Sequence, residues 1–301
     1  MAVRLFTEND YNMLEDASES LKEFGKNVRR WLEAGNTQPE YCFVNQTNGK
    51  INAGVCFNDE FEVSELDIMD FAIADHSFNE AANILKECIA LAQKPKHNVI
   101  SYHLYDDSPQ YRNILSVFLD AGFSIRQQKK CFTFEGSAIP ESDGQLSYRM
   151  FSQVGEASFV EAVMRVTIDT LDTDMAKDAS EQGELQAAKS YVESLKQIDC
   201  NESWWQLAYF DNELVGLIIP QRLDENIGAL NYIGVIPEMR GRGYVNELLS
   251  KATRILTDAG FTRIYADIDA GNFPLEAALL RGGYHFKCEE SVLTRGSIPI
   301  D

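Results

Sequence analysis

Between Gly228 and Ile236 the chain reads Gly-Ala-Leu-Asn-Tyr-Ile-Gly-Val-Ile, an alternation that predicts a central strand. It leads into the basic turn Pro237-Glu-Met-Arg-Gly-Arg-Gly243, and from Tyr244 an amphipathic run predicts a helix. Apolar runs on either side of Asn48-Gly49 and of Asp211-Asn212 predict two antiparallel hairpins, since such dipeptides enter the left-handed turn conformation easily. Arg263-Ile-Tyr-Ala-Asp-Ile-Asp269 predicts another strand. Asn272-Phe-Pro-Leu-Glu276 then predicts a helix start, with Asn as cap and Pro in the first turn. Leu185-Gln-Ala-Ala-Lys-Ser-Tyr-Val-Glu-Ser-Leu195 is helical in pattern.

These signals occur twice. Arg4-Leu-Phe-Thr7 matches Arg149-Met-Phe-Ser152, each hairpin follows, and each half nears its end with Gly122-Phe123 or Gly283-Tyr284. Gly216 lies 162 positions after Gly54, and Gly283 lies 161 after Gly122. A shared offset over so long a stretch predicts an internal duplication. Arg149 follows Arg4 by 145 positions, so the second half gains its extra residues within 168–200. Each half predicts strand, helices, hairpin, long strand, helix, strand, helix and final strand. The fold class is therefore α/β, two tandem domains each with a mostly antiparallel mixed sheet flanked by helices. The expected boundaries are 1–138 and 145–301, with a linker near Glu135–Gly144, rich in turn formers.

The halves differ at one turn. In the second, Gly241 and Gly243 allow close main-chain approach, and the turn opens a helix, whose N-terminal amides favour an anion. Arg240 and Arg242 add positive charge. At the offset of 162 the first half has Asp75-His-Ser-Phe-Asn-Glu-Ala81, with Asn79 and Ala81 in place of the glycines. Such an acidic turn repels a diphosphate.

Val235-Ile-Pro237 followed by Glu238-Met-Arg-Gly-Arg-Gly243, with Asn272 and Gly283-Tyr284 downstream, resembles the GNAT (Gcn5-related N-acetyltransferase) superfamily. Both glycines and Val-x-Pro match; Glu238 stands where the family has Gln or Arg. The resemblance implies a tandem GNAT architecture whose first copy, 1–138, is degenerate and lacks the cofactor loop, and whose second, 145–301, holds an acyl-CoA site. It implies that the main chain of Ile233 and Val235 holds the pantetheine arm. It also implies that the Val235 N–H polarises the thioester carbonyl, that the amides of Arg240, Gly241, Arg242, Gly243 and Tyr244 hold the diphosphate, and that Asn272 touches the arm or caps the next helix. The segment between the first strand and the hairpin forms much of the acceptor wall. A Tyr common seven positions after that Asn is replaced by Leu279, so the usual proton donor is missing. Tyr232, Asp267 and Asp269 are the acid/base candidates, and Asp172 and Asp174 could hold a cationic acceptor. Asp-rich loops are otherwise solvated turns, and Trp204-Trp205 fits core packing better than a cleft.

The 301 residues suffice for two domains. With 27 basic against 47 acidic residues the net charge is −20, which argues against nucleic acid and suits an amine acceptor, small molecule or peptide. No run of 18 apolar residues predicts a membrane helix, and the N-terminus has no signal pattern. Six scattered cysteines read as reduced thiols of a cytoplasmic protein, and four histidines lack metal-ligand spacing. The expected activity is acyl transfer, with acetyl-CoA as co-substrate, directly to an amine. The alternative is a coenzyme A-binding sensor or interaction module without transfer. A monomer or a homodimer is compatible with two copies in one chain.

Overall fold

The structure, a computed structural model, describes residues 2–59, 64–74, 77–136, 139 and 144–296. They form two compact units, Met1–Arg126 with Glu290–Asp301, and Gln127–Glu289.

The first unit contains β1 (Ala2–Leu5), α1 (Glu8–Leu14), α2 (Glu19–Ala34), β2 (Cys42–Thr47), β3 (Lys50–Asn58), β4 (Glu65–Ile73), α3 (Phe78–Ala92), β5 (Val99–Tyr105) and α4 (Tyr111–Asp120). After β6 (Ser124–Phe134), the second unit continues with β7 (Ser147–Met150), α5 (Phe151–Thr167), α6 (Thr173–Gln182), α7 (Glu184–Ile198), β8 (Gln206–Phe210), β9 (Glu213–Asp224), β10 (Ile227–Val235), α8 (Tyr244–Asp258), β11 (Arg263–Asp269) and α9 (Phe273–Arg281). The last strand is β12 (His285–Gly296).

The two units repeat one strand plan. In the first unit β1–β2–β3–β4–β5 follow in order, antiparallel except for the parallel β4/β5 pair. In the second, β7–β8–β9–β10–β11 follow likewise, with β10/β11 parallel. The closing strands differ from the expected division at 138 and 145. Glu290–Gly296 of β12 pairs with β5 in the first unit, and Lys129–Phe134 of β6 pairs with β11 in the second. Each half of the sequence gives its final strand to the other unit. Hydrophobic periodicity marks these segments as strands but carries no information on the partner. Of the expected linker, residues 137, 138 and 140–143 lie outside the described residues.

Local chemistry explains the hairpins. Asn48 and Gly49 have φ of 52° and 77°, and Asp211 and Asn212 have 48° and 65°, the double left-handed turn that matches strand twist. In α8, Leu248, Leu249, Ala252 and Leu256 form one buried stripe in the core of the second unit. Trp205 is fully buried against Phe151 and Phe159, so core packing accounts for it. Both units carry a bulge with one extra residue, Met69 in β4 and Asn231 in β10, again 162 positions apart. The free cysteines are buried apart from half-buried Cys200. Among the described residues, no helix is long and apolar enough to cross a membrane.

Candidate functional site

In the second unit β10 stays paired with β9 as far as Val235, opposite Gly216, but pairs with β11 only through Ile227, Gly228 and Ala229. Beyond Ala229 the parallel strands part, and a cavity of about 500 Å³ opens between them. Val166, Leu230, Ala266, Leu275 and Leu279 give it apolar walls. Asn231, the extra residue of the β10 bulge, is anchored on the β9 side. Its Nδ2 donates to Oε1 of fully buried Gln221, which in turn donates to the carbonyls of Leu195 (2.8 Å) and Asp199 at the end of α7. The Ile236 N–H bonds to the Val215 carbonyl at 2.9 Å. Alternation therefore turns the N–H groups of Ile233 and Val235 away from β9, toward the cavity.

After β10 a short turn uses the amides of Met239 and Arg240, which donate to the carbonyls of Ile236 (3.0 Å) and Pro237 (3.2 Å). The Arg240 amide is thus committed within the turn, which corrects its expected place in an anion grip. Its guanidinium is committed as well, to the carbonyls of Val235, Asp169, Val166 and Ile168. Arg240 is a clamp between the loop and the end of α5. The next residues differ. Gly241 and Gly243 have φ of 74° and 82°, and Gly241, Arg242 and Gly243 are exposed. Among the described residues, none of these three amides donates to a protein acceptor. A Cβ at Gly241 would meet nothing within 4 Å, so the loop faces open space. Tyr244 opens α8; in its first turn the Asn246 N–H donates to the Gly243 carbonyl at 3.0 Å. Glu238 is exposed, and Arg165 lies 3.8 Å from its carboxylate, which offsets the charge expected to repel a diphosphate.

Asp269 lies on the cavity wall, but its carboxylate accepts from the Thr173 N–H and hydroxyl (3.2 and 2.5 Å) and from the Gly271 N–H (3.1 Å). Burial raises its pKa, but these bonds outweigh burial and hold it below the ordinary carboxylate value. Such a group is a weak base, so Asp269 is a staple for the start of α6, not an acid/base residue. Tyr232 also lines the cavity, and burial pushes its phenol up to about 12, with Asp172 adding to the shift and the Thr167 hydroxyl opposing it. It stays protonated near neutrality and does not serve as a base. Asp267 is an exposed part of the wall. Asn272 caps α9 through a bond from the Leu275 N–H (3.3 Å), while also lining the cavity. Leu279 is a buried wall residue, and the Tyr284 hydroxyl meets that of Thr253 at 2.8 Å inside the core. The Arg240 clamp, the Asn231–Gln221 link and the Asp269–Thr173 staple were not foreseen. Only Asn231, a polar residue interrupting an apolar strand, leaves a trace in the sequence.

The first unit has a related arrangement of strands. Its β4 leaves β5 after Ile68, and Phe71 beyond that point packs against Phe118, which stacks on Tyr102. Asp75 and His76 of the turn lie outside the described residues. Exposed Asn79 and buried Ala81 sit in α3.

A family model described as acetyltransferase (GNAT) family matches residues 169–284. A search of curated proteins finds no match. Among solved structures, a GCN5-related N-acetyltransferase from Sphaerobacter thermophilus is 16% identical with a TM-score of 0.66, over 100% of this chain and 97% of that one. A GCN5-related glucosamine N-acetyltransferase region in a fungal multi-domain GH3 β-N-acetylglucosaminidase is 15% identical with a TM-score of 0.61, over 97% of this chain and 38% of that one. A tandem GNAT protein from the clavulanic acid biosynthesis pathway is 10% identical with a TM-score of 0.53, over the whole of both chains. At such identities the likenesses concern the fold. Residues 169–284 match the acetyltransferase (GNAT) family model, within a chain that has the fold of a tandem GNAT protein.

Proposed function

We propose that the second unit transfers an acyl group from acyl-coenzyme A, acetyl-CoA in the first instance, directly to an amine, and that the first unit is a degenerate copy serving as scaffold. The observation that carries this is the row of uncommitted, exposed amides at Gly241, Arg242 and Gly243, beside a cavity open along β10. Those amides, with the first turn of α8 at Tyr244, suit a diphosphate. The pantetheine arm then pairs with the main chain of Ile233 and Val235 as an added strand would, along the apolar walls. Asn272 lines that path, with its Oδ1 already engaged in capping α9. The Val235 N–H faces the thioester carbonyl and stabilises the charge that develops on its oxygen. Tyr232 supplies a hydrogen bond, and the departing thiolate takes its proton from the amine or from water.

Calorimetry with coenzyme A and a thiol-release assay on amines test this together. A Cβ at either left-handed glycine costs about 1–2 kcal/mol, and a Glu there adds a repelling carboxylate. Gly241→Glu and Gly243→Glu should abolish coenzyme binding with the fold retained, while Asn79→Glu in the first unit should leave binding unchanged. Equal loss from Asn79→Glu refutes the assignment of the active unit. Coenzyme binding without thiol release would favour the non-catalytic sensor, for which Glu238, in place of Gln or Arg, and Leu279, at the usual proton-donor position, are the supporting features.

A further inference from the structure

This inference rests on the acyl-coenzyme A reading above and concerns the end of the same cavity formed by the α5–α6 connection. That end is walled by Val166, Thr170, Leu171, Asp172 and Tyr232. Asp172 caps α6, with Oδ1 accepting from the Met175 N–H at 2.9 Å. Among the described residues its other oxygen accepts from no protein donor. Tyr232 is held in place from behind by Tyr191 of α7, ring centroids 5.4 Å apart and edge to face.

The charge of the wall points to the sign of the ligand. Asp169, Asp172, Asp267 and Asp269 all line the cavity, against one basic residue, Arg240, whose guanidinium is spent on four carbonyls. A carboxylate or phosphate would find no free cation among these lining residues, whereas an ammonium finds a carboxylate with an unused oxygen beside an aromatic face. We propose that this end of the cavity is the acceptor site, that it takes a compact primary alkylamine in its ammonium form, and that Asp172 pairs with the ammonium and accepts its proton. Tyr232 and Leu171 cover the carbon chain.

The step balances. The ammonium gives one proton to Asp172, and the freed nitrogen lone pair forms a bond to the thioester carbonyl carbon. The carbon–sulfur bond breaks with its electron pair on sulfur, and the nitrogen's second proton goes to that thiolate. Products are the amide and the free thiol, and Asp172 returns its proton to water. The titratable groups facing Asp172 are Asp174 on its own helix, Lys129 on β6, Asp269 on β11, Tyr232 on β10 and Tyr191 on α7. Burial pushes the Asp172 carboxyl above its ordinary range; Asp174 and Asp269 reinforce the shift, and the Met175 N–H and Lys129 oppose it. The acid limb of transfer should follow this group.

Asp172→Asn keeps the helix cap, because Asn caps as well as Asp. Coenzyme affinity is measured by calorimetry, and thiol release from acetyl-CoA is followed with a panel of unbranched primary alkylamines and diamines across the acid and neutral range. The expected result is unchanged coenzyme affinity, a fall in kcat/KM for the amine of about 10²- to 10⁴-fold, and loss of the acid limb. Transfer by the variant at the wild-type rate with the same limb overturns the proposal. So does coenzyme binding by the wild type with no release for any amine. Failure of the wild type to bind coenzyme overturns the underlying reading instead.

Discussion

The Arg240 guanidinium closes onto the carbonyl of Val235, with Nε donating at 3.0 Å. Its remaining donors reach Val166, Ile168 and Asp169, so one side chain ties the end of β10 to the end of α5. The edge proposed to hold the thioester and the segment proposed to hold the acceptor are therefore fixed to one another. A cation at the carbonyl end of a helix is favourably placed.

Arg240→Ala should remove this tie without removing an anion contact, since neither its amide nor its side chain is free for one. A hydrogen bond from a charged group is worth about 1.5–3 kcal/mol when buried, but most of these four are exposed and all come from one side chain, so a total loss of about 1–3 kcal/mol in stability is expected. Coenzyme affinity should fall about tenfold as the loop loosens. Arg240→Lys should not restore it, because one ammonium cannot span four carbonyls. Thermal unfolding and calorimetry on the two variants check this; full rescue by Lys sinks the clamp.

Gly234 makes room for Tyr232. A Cβ at Gly234 would lie 3.3 Å from Cε1 of Tyr232 and 3.0 Å from Cβ of Val166. Gly234→Ala should push both side chains, costing about 1–3 kcal/mol by overpacking. Its amine kcat/KM should fall, and coenzyme affinity should fall less than in Gly241→Glu, because Gly234 lies on the strand edge proposed to hold the arm but the 241–243 amides are untouched. Steady-state kinetics beside calorimetry separate the two effects.

The Asp269–Thr173 staple should make the start of α6 sensitive to acid. The folded-state pKa of Asp269 lies below its unfolded value of about 3.9. Its contribution is complete above that value and is lost as pH falls through the folded-state pKa. Asp269→Asn should lower stability at neutral pH and flatten the stability profile below about pH 4. Denaturant unfolding of both proteins over that range measures it; parallel profiles count against the staple.

What the sequence determined by itself is local. Asn48-Gly49 and Asp211-Asn212 select their turns through φ, Gly241 and Gly243 select the open loop, and the spacing of apolar positions selects α8 and the strands. The duplication was legible because both copies keep these signals in register, down to the bulges at Met69 and Asn231. The tertiary structure decided what depends on segments far apart in the chain. The Arg240–Val166 bond spans 74 positions and the Thr173–Asp269 bond 96. The same holds for the final strands exchanged between the units and for the parting of β10 from β11 after Ala229. Periodicity gives each segment a buried face, but a strand's partner and a carboxylate's donors are set only when distant segments compete for the same edge or charge. That competition makes Asp269 a staple and leaves Asp172 with an oxygen to spare.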